Sequence, residues 1–186
     1  MTLFRLNIPN LISLGRLLAV PFTVWLILNG RLMAAFWIFV LAGLSDAADG
    51  YIAKRFNLRT VIGGYLDPIA DKALLVSVFV TLGHAGYVES WLVILAVFRD
   101  ALIVAGALLF QLLFDSFTVE PLISSKINTA LQFLLAALVL GLTGYGIAAE
   151  TEITVLIYVV AATTLWSGIS YLIVWGRRVA AMEPGE

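Results

Sequence analysis

The sequence predicts an all-α integral membrane protein: six transmembrane helices, a short N-terminal interfacial helix and both termini in the cytoplasm. Three observations carry this. Hydrophobic residues make up 62 % of the 186, charged residues only 12 %, and the mean hydropathy is +1.03. A soluble domain of this size cannot hide that much apolar surface, because folded chains keep a polar rim. The apolar residues form successive runs of about 20, the length that crosses a hydrocarbon layer ~30 Å thick as a helix. The basic residues gather at alternate connections, as the positive-inside rule requires. There are no cysteines, so disulfides and thiol chemistry are excluded. The net charge of −1 says little about partners; no nucleic-acid partner is expected. Residues 1–186 read as a single membrane domain.

Met1–Asn10 (MTLFRLNIPN) is too short and polar to span, and is expected as an interfacial helix, residues 1–10, before Pro9 turns the chain inward. No small-residue cleavage site follows a short apolar core, so the first span is expected to persist. That span is Leu11–Leu28, with Arg16 near its start and Pro21 inside; Asn29-Gly30-Arg31 is a tight turn. The second span runs from about Leu32 to Phe56 and ends in Asp46, Asp49, Lys54 and Arg55. Residues 57–62 connect it to a third span, about Gly63–Leu82, which opens with Asp67 and Asp71. His84–Ser90 is a polar loop. The fourth span, Trp91–Phe114, contains Arg99 and Asp100, and a loop with Pro121 leads to the fifth, Ser125–Leu142, opened by Lys126. After GYGIAAETE comes the sixth, Ile153–Trp175, which Arg177 and Arg178 are expected to end, leaving 179–186 as a short tail. The tryptophans are expected mostly at the membrane interfaces.

With the N-terminus inside, Arg5, Lys54, Arg55, Arg59, Arg177 and Arg178 fall on the cytoplasmic side with Lys126, and Glu89, Glu150 and Glu152 fall outside. No inverted repeat pairs the two halves, which argues against a transporter built from repeats.

The chemistry concentrates between Asp46 and Asp71. Asp46 and Asp49 lie three residues apart, Asp67 and Asp71 four, so each pair shares a helix face. Carboxylates at membrane spans are costly and mark function. Four together repel one another unless cations neutralise them, and all-oxygen ligation suits Mg²⁺ or Mn²⁺. Gly50, Gly63 and Gly64 allow close approach, and Lys54, Arg55 and Arg59 suit phosphate. Together these suggest phosphoryl-type transfer assisted by two metals. A cation channel or carrier is the alternative from another class, but it would spread its acids through the bilayer depth. A lipid-binding scaffold would not need four spaced aspartates.

Asp46-x-x-Asp49-Gly50-x-x-Ala53-Lys54, eight residues, then Gly63-x-x-x-Asp67-x-x-x-Asp71 closely resembles the signature of the CDP-alcohol phosphotransferase family. The family's arginine after the alanine is Lys54 here, with Arg55 beside it; lysine holds phosphate as a point charge without the bidentate fork. The resemblance implies a six-span enzyme, usually a homodimer, that moves a phosphatidyl group from CDP-diacylglycerol to an alcohol and releases CMP. It implies that Asp46, Asp49 and Asp67 bind one metal, and that Asp46, Asp67 and Asp71 share a second. It makes Asp71 the general base, and places Asp49, Gly50, Ala53, Lys54, Arg55 and Gly63 at the CDP-diacylglycerol. The topology puts the site at the cytoplasmic face, and a bacterial inner membrane is the expected location.

NIPNLISLGRLLAVP at Asn7–Pro21 resembles both the phosphatidylglycerophosphate synthases and the cardiolipin synthases of this family. Phe98-Arg99-Asp100, ISSKINTALQ at Ile123–Gln132 and TTLWSGISYLIVWGRR at Thr163–Arg178 look more like the CMP-forming cardiolipin synthases. Phosphatidylglycerol is therefore the first expected acceptor and glycerol 3-phosphate the second. Arg99, Lys126 and Arg16 are the candidate acceptor-binding residues. Each also has a plain structural reading: a buried pair with Asp100 for Arg99, and interface anchoring for Lys126 and Arg16.

Overall fold

The computed structural model describes the backbone of residues 8–55, 61–113 and 122–182, with side chains for 11–45, 69–112 and 122–177. Among the described residues there are six helices: α1 (Ile8–Leu28), α2 (Leu32–Arg55), α3 (Val61–His84), α4 (Ser90–Leu113), α5 (Ile123–Gly144) and α6 (Glu150–Met182). Within α1, α4, α5 and α6, the stretches Leu11–Leu28, Ser90–Leu112, Ile123–Gly144 and Glu150–Arg177 are long and apolar enough to cross a membrane, and α2 adds the shorter apolar stretch Leu32–Ser45. This is a multi-pass membrane protein.

The helices differ from expectation mainly at their ends. Ile8, Pro9 and Asn10 already belong to α1, whereas residues 1–7 lie outside the described set. Proline is tolerated in a first turn, where its missing N–H would have no partner. Arg177 and Arg178 do not end α6, which continues to Met182. Arginine is a good helix former, and a charge pattern that fixes membrane sidedness does not by itself break a helix. Lys126 lies one turn inside α5 and His84 closes α3, both exposed.

Three connections end in the same device. Gly30, Gly86 and Gly146 adopt φ of 69°, 78° and 69°. After α5, Ile147 N–H donates to the Leu142 carbonyl at 2.8 Å and Gly146 N–H to that of Thr143 at 3.1 Å, the Schellman pattern; α1 and α3 close in the same way. The last carbonyls of these helices are thereby satisfied by the chain itself. Glu150 and Glu152 then open α6, where negative charge suits the helix N-terminus.

The chain divides into two compact units, the first comprising residues 1–88 and 136–149, the second 89–135 and 150–186. In the first, α1 packs against both α3 and α2, and α2 and α3 also touch. Leu26, Ile27, Ala35, Phe39, Leu74, Val78 and Leu82 are buried here. The end of α5 meets the start of α2 through glycine: a Cβ on Gly144 would lie 2.6 Å from the Met33 backbone nitrogen, and one on Gly141 3.1 Å from the Phe36 ring. Tyr145 sits edge-on to Phe36 at 6.5 Å. In the second unit α4 packs against α6, and Phe110, Tyr171 and Trp175 form an aromatic cluster with Leu102, Ile103, Leu122 and Val174. Gly106 is the gap into which the Trp175 ring fits. Trp175 is therefore interior, whereas Trp25, Trp37, Trp91 and Trp166 are exposed.

The exterior, unlike that of a water-soluble bundle, is rich in large apolar side chains, and several polar ones lie inside among the apolar core. Leu18, Ile94, Phe98 and Leu112 are 66 %, 68 %, 64 % and 84 % exposed, whereas Arg16, Arg99, Asn128, Gln132 and Thr164 are at most 3 % exposed. Lipid solvates the apolar exterior, and polar groups turn inward to find partners. Thr23, Thr81 and Thr164 meet this demand locally, each hydroxyl donating to the carbonyl four residues earlier at 2.8, 2.6 and 2.7 Å.

The glycine contacts predict opposite signs for one added methyl. Gly144→Ala, pressed against backbone, is expected to cost about 1–3 kcal/mol and lower the thermal midpoint in detergent. Gly15→Ala, with nothing within 4 Å of its Cβ, is expected to be neutral or slightly stabilising. Thermal unfolding of the two variants side by side checks this.

Candidate active site

The aspartates lie on two touching helices. Asp46 and Asp49 are one turn apart in α2, and Asp67 and Asp71 one turn apart in α3. The side chains of Asp46, Asp49, Gly50, Ala53, Lys54, Arg55, Gly63 and Asp67 lie outside the described set, so of the four acids only Asp71 has a described environment. Among the described residues no three histidine, cysteine or acidic side chains gather as a metal site.

Asp71 does not stand where an isolated acid would. Arg16, from α1, donates through Nη1 to Asp71 Oδ1, making an ion pair across 55 residues of sequence. Its burial is lopsided: the Arg16 side chain is 1 % exposed, that of Asp71 42 %. Arg16 is thus not an interface anchor. It is an interior cation that needs a carboxylate, since an unpaired buried charge costs several kcal/mol. The opening on the Asp71 side leaves that carboxylate accessible to a ligand. A hard anionic oxygen with this access fits a divalent cation such as Mg²⁺.

The second unit holds a polar core of its own, organised by α6. Thr164, Ser167 and Tyr171 follow at i, i+3 and i+7 on one buried face, and each bonds to a different segment. The Thr164 hydroxyl, whose one hydrogen is shared with the Val160 carbonyl, lies 2.8 Å from Asn128 Oδ1 of α5. Ser167 Oγ accepts from Arg99 of α4, through Nε at 3.2 Å and also through Nη2. The Tyr171 hydroxyl accepts the Leu122 N–H at 3.2 Å, just before α5 begins. Arg99 also donates through Nη1 to Asp100 at 2.6 Å. Adjacent residues point about 100° apart on a helix, but the long guanidinium bends far enough to close this pair. These partners explain the burial of Arg99 structurally. Lys126 is exposed, two residues from the buried Ser124 and Asn128 and so on another side of α5.

The structure brings Arg16 to Asp71, a pairing that no local pattern announces. It also buries Ser124, Asn128, Gln132, Thr164 and Ser167, which lie in stretches that the sequence singles out only by resemblance and to which it assigns no individual role. Their signal in the sequence was polar side chains at helical spacing inside apolar spans.

The D-x2-D-G and G-x3-D-x3-D elements thus lie on two helices that touch, α2 and α3. A model of the family "CDP-alcohol phosphatidyltransferase" matches residues 6–175, and the chain belongs to that family. It is 36 % identical over 185 residues to CDP-diacylglycerol--glycerol-3-phosphate 3-phosphatidyltransferase 1, chloroplastic, of Oryza sativa subsp. japonica, covering 89 % of this chain and 56 % of the rice protein. It is 30 % identical over 196 residues to the cardiolipin synthase (CMP-forming) of Rattus norvegicus, covering 97 % and 65 %. It is 32 % identical over 170 residues to the CDP-diacylglycerol--glycerol-3-phosphate 3-phosphatidyltransferase of Rickettsia typhi, covering 89 % and 94 %. The chain spans little more than half of the rice protein, just under two thirds of the rat protein and nearly all of the rickettsial one. The family uses divalent metal ions.

A double-mutant cycle tests the α1–α3 ion pair. Arg16→Gln and Asp71→Asn are each expected to destabilise the protein, and together by less than their sum, with a coupling of about 1–3 kcal/mol in thermal unfolding. Additivity within about 0.5 kcal/mol would show that the two side chains are energetically independent.

Proposed function

We propose that this protein transfers the phosphatidyl group of CDP-diacylglycerol to phosphatidylglycerol, forming cardiolipin and CMP. The observation that carries the proposal is the aspartate array on α2 and α3, with Asp71 held by Arg16 yet open on one side. Asp46, Asp49 and Asp67 would hold one divalent cation, and Asp46, Asp67 and Asp71 a second, Mg²⁺ or Mn²⁺. Such ions neutralise a diphosphate and ease departure of its leaving group. Asp49, Gly50, Ala53, Lys54, Arg55 and Gly63 bind the CDP-diacylglycerol. Asp71 accepts the proton of the attacking hydroxyl as the new phosphorus–oxygen bond forms and the bond to CMP breaks.

Charge supports a lipid acceptor. Among the described side chains of α4–α6 the cations are Arg99, Lys126 and Arg177, and Arg99 already serves Ser167 and Asp100. Free glycerol 3-phosphate, a dianion, calls for a denser basic pocket, whereas the phosphodiester of phosphatidylglycerol carries one charge. Lys126, exposed near the start of α5, is the one of the three acceptor-binding candidates whose side chain makes no hydrogen bond or ion pair among the described residues. Arg16 acts on the acceptor only through Asp71. The second reading, a phosphatidylglycerophosphate synthase, is favoured by the likeness to the rice and rickettsial glycerol-3-phosphate 3-phosphatidyltransferases. In either case the enzyme spans the bacterial inner membrane six times as a homodimer, with its termini and site in the cytoplasm. Labelling of single cysteines in this cysteine-free chain should find position 177 accessible from the cytoplasm and position 150 from the opposite side.

The decisive assay gives purified protein CDP-diacylglycerol, Mg²⁺ or Mn²⁺, and either phosphatidylglycerol or glycerol 3-phosphate. Cardiolipin and CMP are expected; phosphatidylglycerophosphate would establish the second reading, and no CMP with either acceptor would refute both. Chelation should abolish turnover and added metal restore it. Asp71→Asn should lower kcat by about 10²-fold or more. Lys54→Arg should be tolerated, while Lys54→Ala should raise the KM for CDP-diacylglycerol.

A further inference from the structure

Arg16 is fixed in the packed interior of the first unit. Ser13, Arg16, Thr23 and Ile27 fall at the spacing of one helix face, and each is at most 3 % exposed. The helix that carries them packs against both α2 and α3. Among the described side chains of this unit Asp71 is the one carboxylate, and Arg16 donates to its Oδ1. Ala70 and Leu74, next to Asp71 on α3, are buried. The backbone under the carboxylate is thereby held, while the Asp71 side chain itself is 42 % exposed.

The pair therefore has an inner and an outer side. A guanidinium keeps its charge at any working pH, and a buried charge without a counter-charge is costly, so Arg16 stays with its carboxylate. It reaches Asp71 from the enclosed side. Any further cation must meet Asp71 from the exposed side, across the same carboxylate.

Two effects on such a cation oppose each other. The hydrogen bond fixes the orientation of the carboxylate, which favours ligation and proton transfer alike. The charge works against ligation, because a dication and a guanidinium repel each other across one carboxylate in a low-dielectric setting. That repulsion involves a doubled charge at close range, so it outweighs the gain from orientation where binding is concerned. In turnover the order reverses, since the placement of the proton-accepting oxygen matters more than how tightly a cation is held.

We propose that Arg16 is a positioning residue of the transfer: it aims Asp71 outward and, as a second cation on the same carboxylate, holds the affinity for divalent metal down. This rests on the reading that Asp71 shares a divalent cation and takes the proton of the acceptor hydroxyl. Its consequence is that Asp71 is kept from becoming a ligand only, and remains able to act as a base.

The experiment titrates purified protein with Mn²⁺ alone by calorimetry, for wild type, Arg16→Gln, Arg16→Met and Arg16→Lys, and measures turnover in parallel. The two neutral variants are expected to bind Mn²⁺ about tenfold more tightly than the wild type, and to lose about tenfold or more in kcat. Arg16→Lys, which keeps the charge without the fork, should stay within about threefold of the wild-type affinity. The KM for CDP-diacylglycerol should change by no more than about threefold in any of them. A pair that only holds helices together would, when cut, loosen the array and weaken Mn²⁺ binding, so the sign of the change separates the two roles. Where a neutral variant is too unstable to titrate, Mn²⁺ should raise its thermal midpoint by more than that of the wild type. Failure of both neutral variants to fold at saturating Mn²⁺ overturns the proposal. Equal or weaker Mn²⁺ binding in both, or tighter binding with kcat unchanged, overturns it as well. A wild type that binds no Mn²⁺, or releases no CMP with either acceptor, instead overturns the transferase reading beneath it.

Discussion

A charge placed inside a lipid-solvated bundle must find its counter-charge within the protein, and the first three helices depend on that rule at Arg16 and Asp71. Arg16 is enclosed, and the surrounding hydrocarbon offers no alternative partner. The carboxylate of α3 supplies one, and the helix that begins the chain is thereby tied to the helix that carries the candidate base. The aspartate array is therefore not the property of α2 and α3 alone. Its edge is held by α1, so the N-terminal segment that resembles the glycerophospholipid synthases has a physical reason to accompany the aspartate signature.

The same rule acts on neutral groups. Threonine hydroxyls in α1, α3 and α6 fold back on their own helices, which removes the cost without needing a neighbour. On α6 the polar face goes further, gathering a serine–arginine contact, a threonine–amide contact and a tyrosine that takes a backbone N–H before α5. Apolar packing completes what these bonds begin, and it relies on missing side chains as much as present ones: Gly144 admits the α2 backbone and Gly106 the Trp175 ring. Among the described residues, one polar atom each of Ser124, Asn128 and Gln132 has no hydrogen-bond partner.

Much of the helical layout was legible from hydropathy, since a run of about 20 apolar residues can do little else in a bilayer. The errors fell at the ends. Arg177 and Arg178 were expected to stop α6 and do not, because they mark sidedness rather than helix termination. The start of α1 lies before Leu11, because a proline in the first turn is no barrier. The Arg99–Asp100 pair shows a different limit: helical geometry places neighbouring side chains apart, but it ignores the reach of a guanidinium.

By itself the sequence determined that this is a helical membrane protein of the CDP-alcohol phosphatidyltransferase family, because composition sets the solvent and the spacing of aspartates and glycines sets the chemistry. These are local properties, readable within one helix or one motif. The tertiary structure decided the partners: Arg16 for Asp71, Ser167 for Arg99, Thr164 for Asn128, and none among the described residues for three polar atoms of α5. Such pairings join residues 36 to 68 positions apart, and no periodicity encodes them. They follow from which helix faces meet, and that is settled only when the helices pack and each buried polar group must be matched or left over.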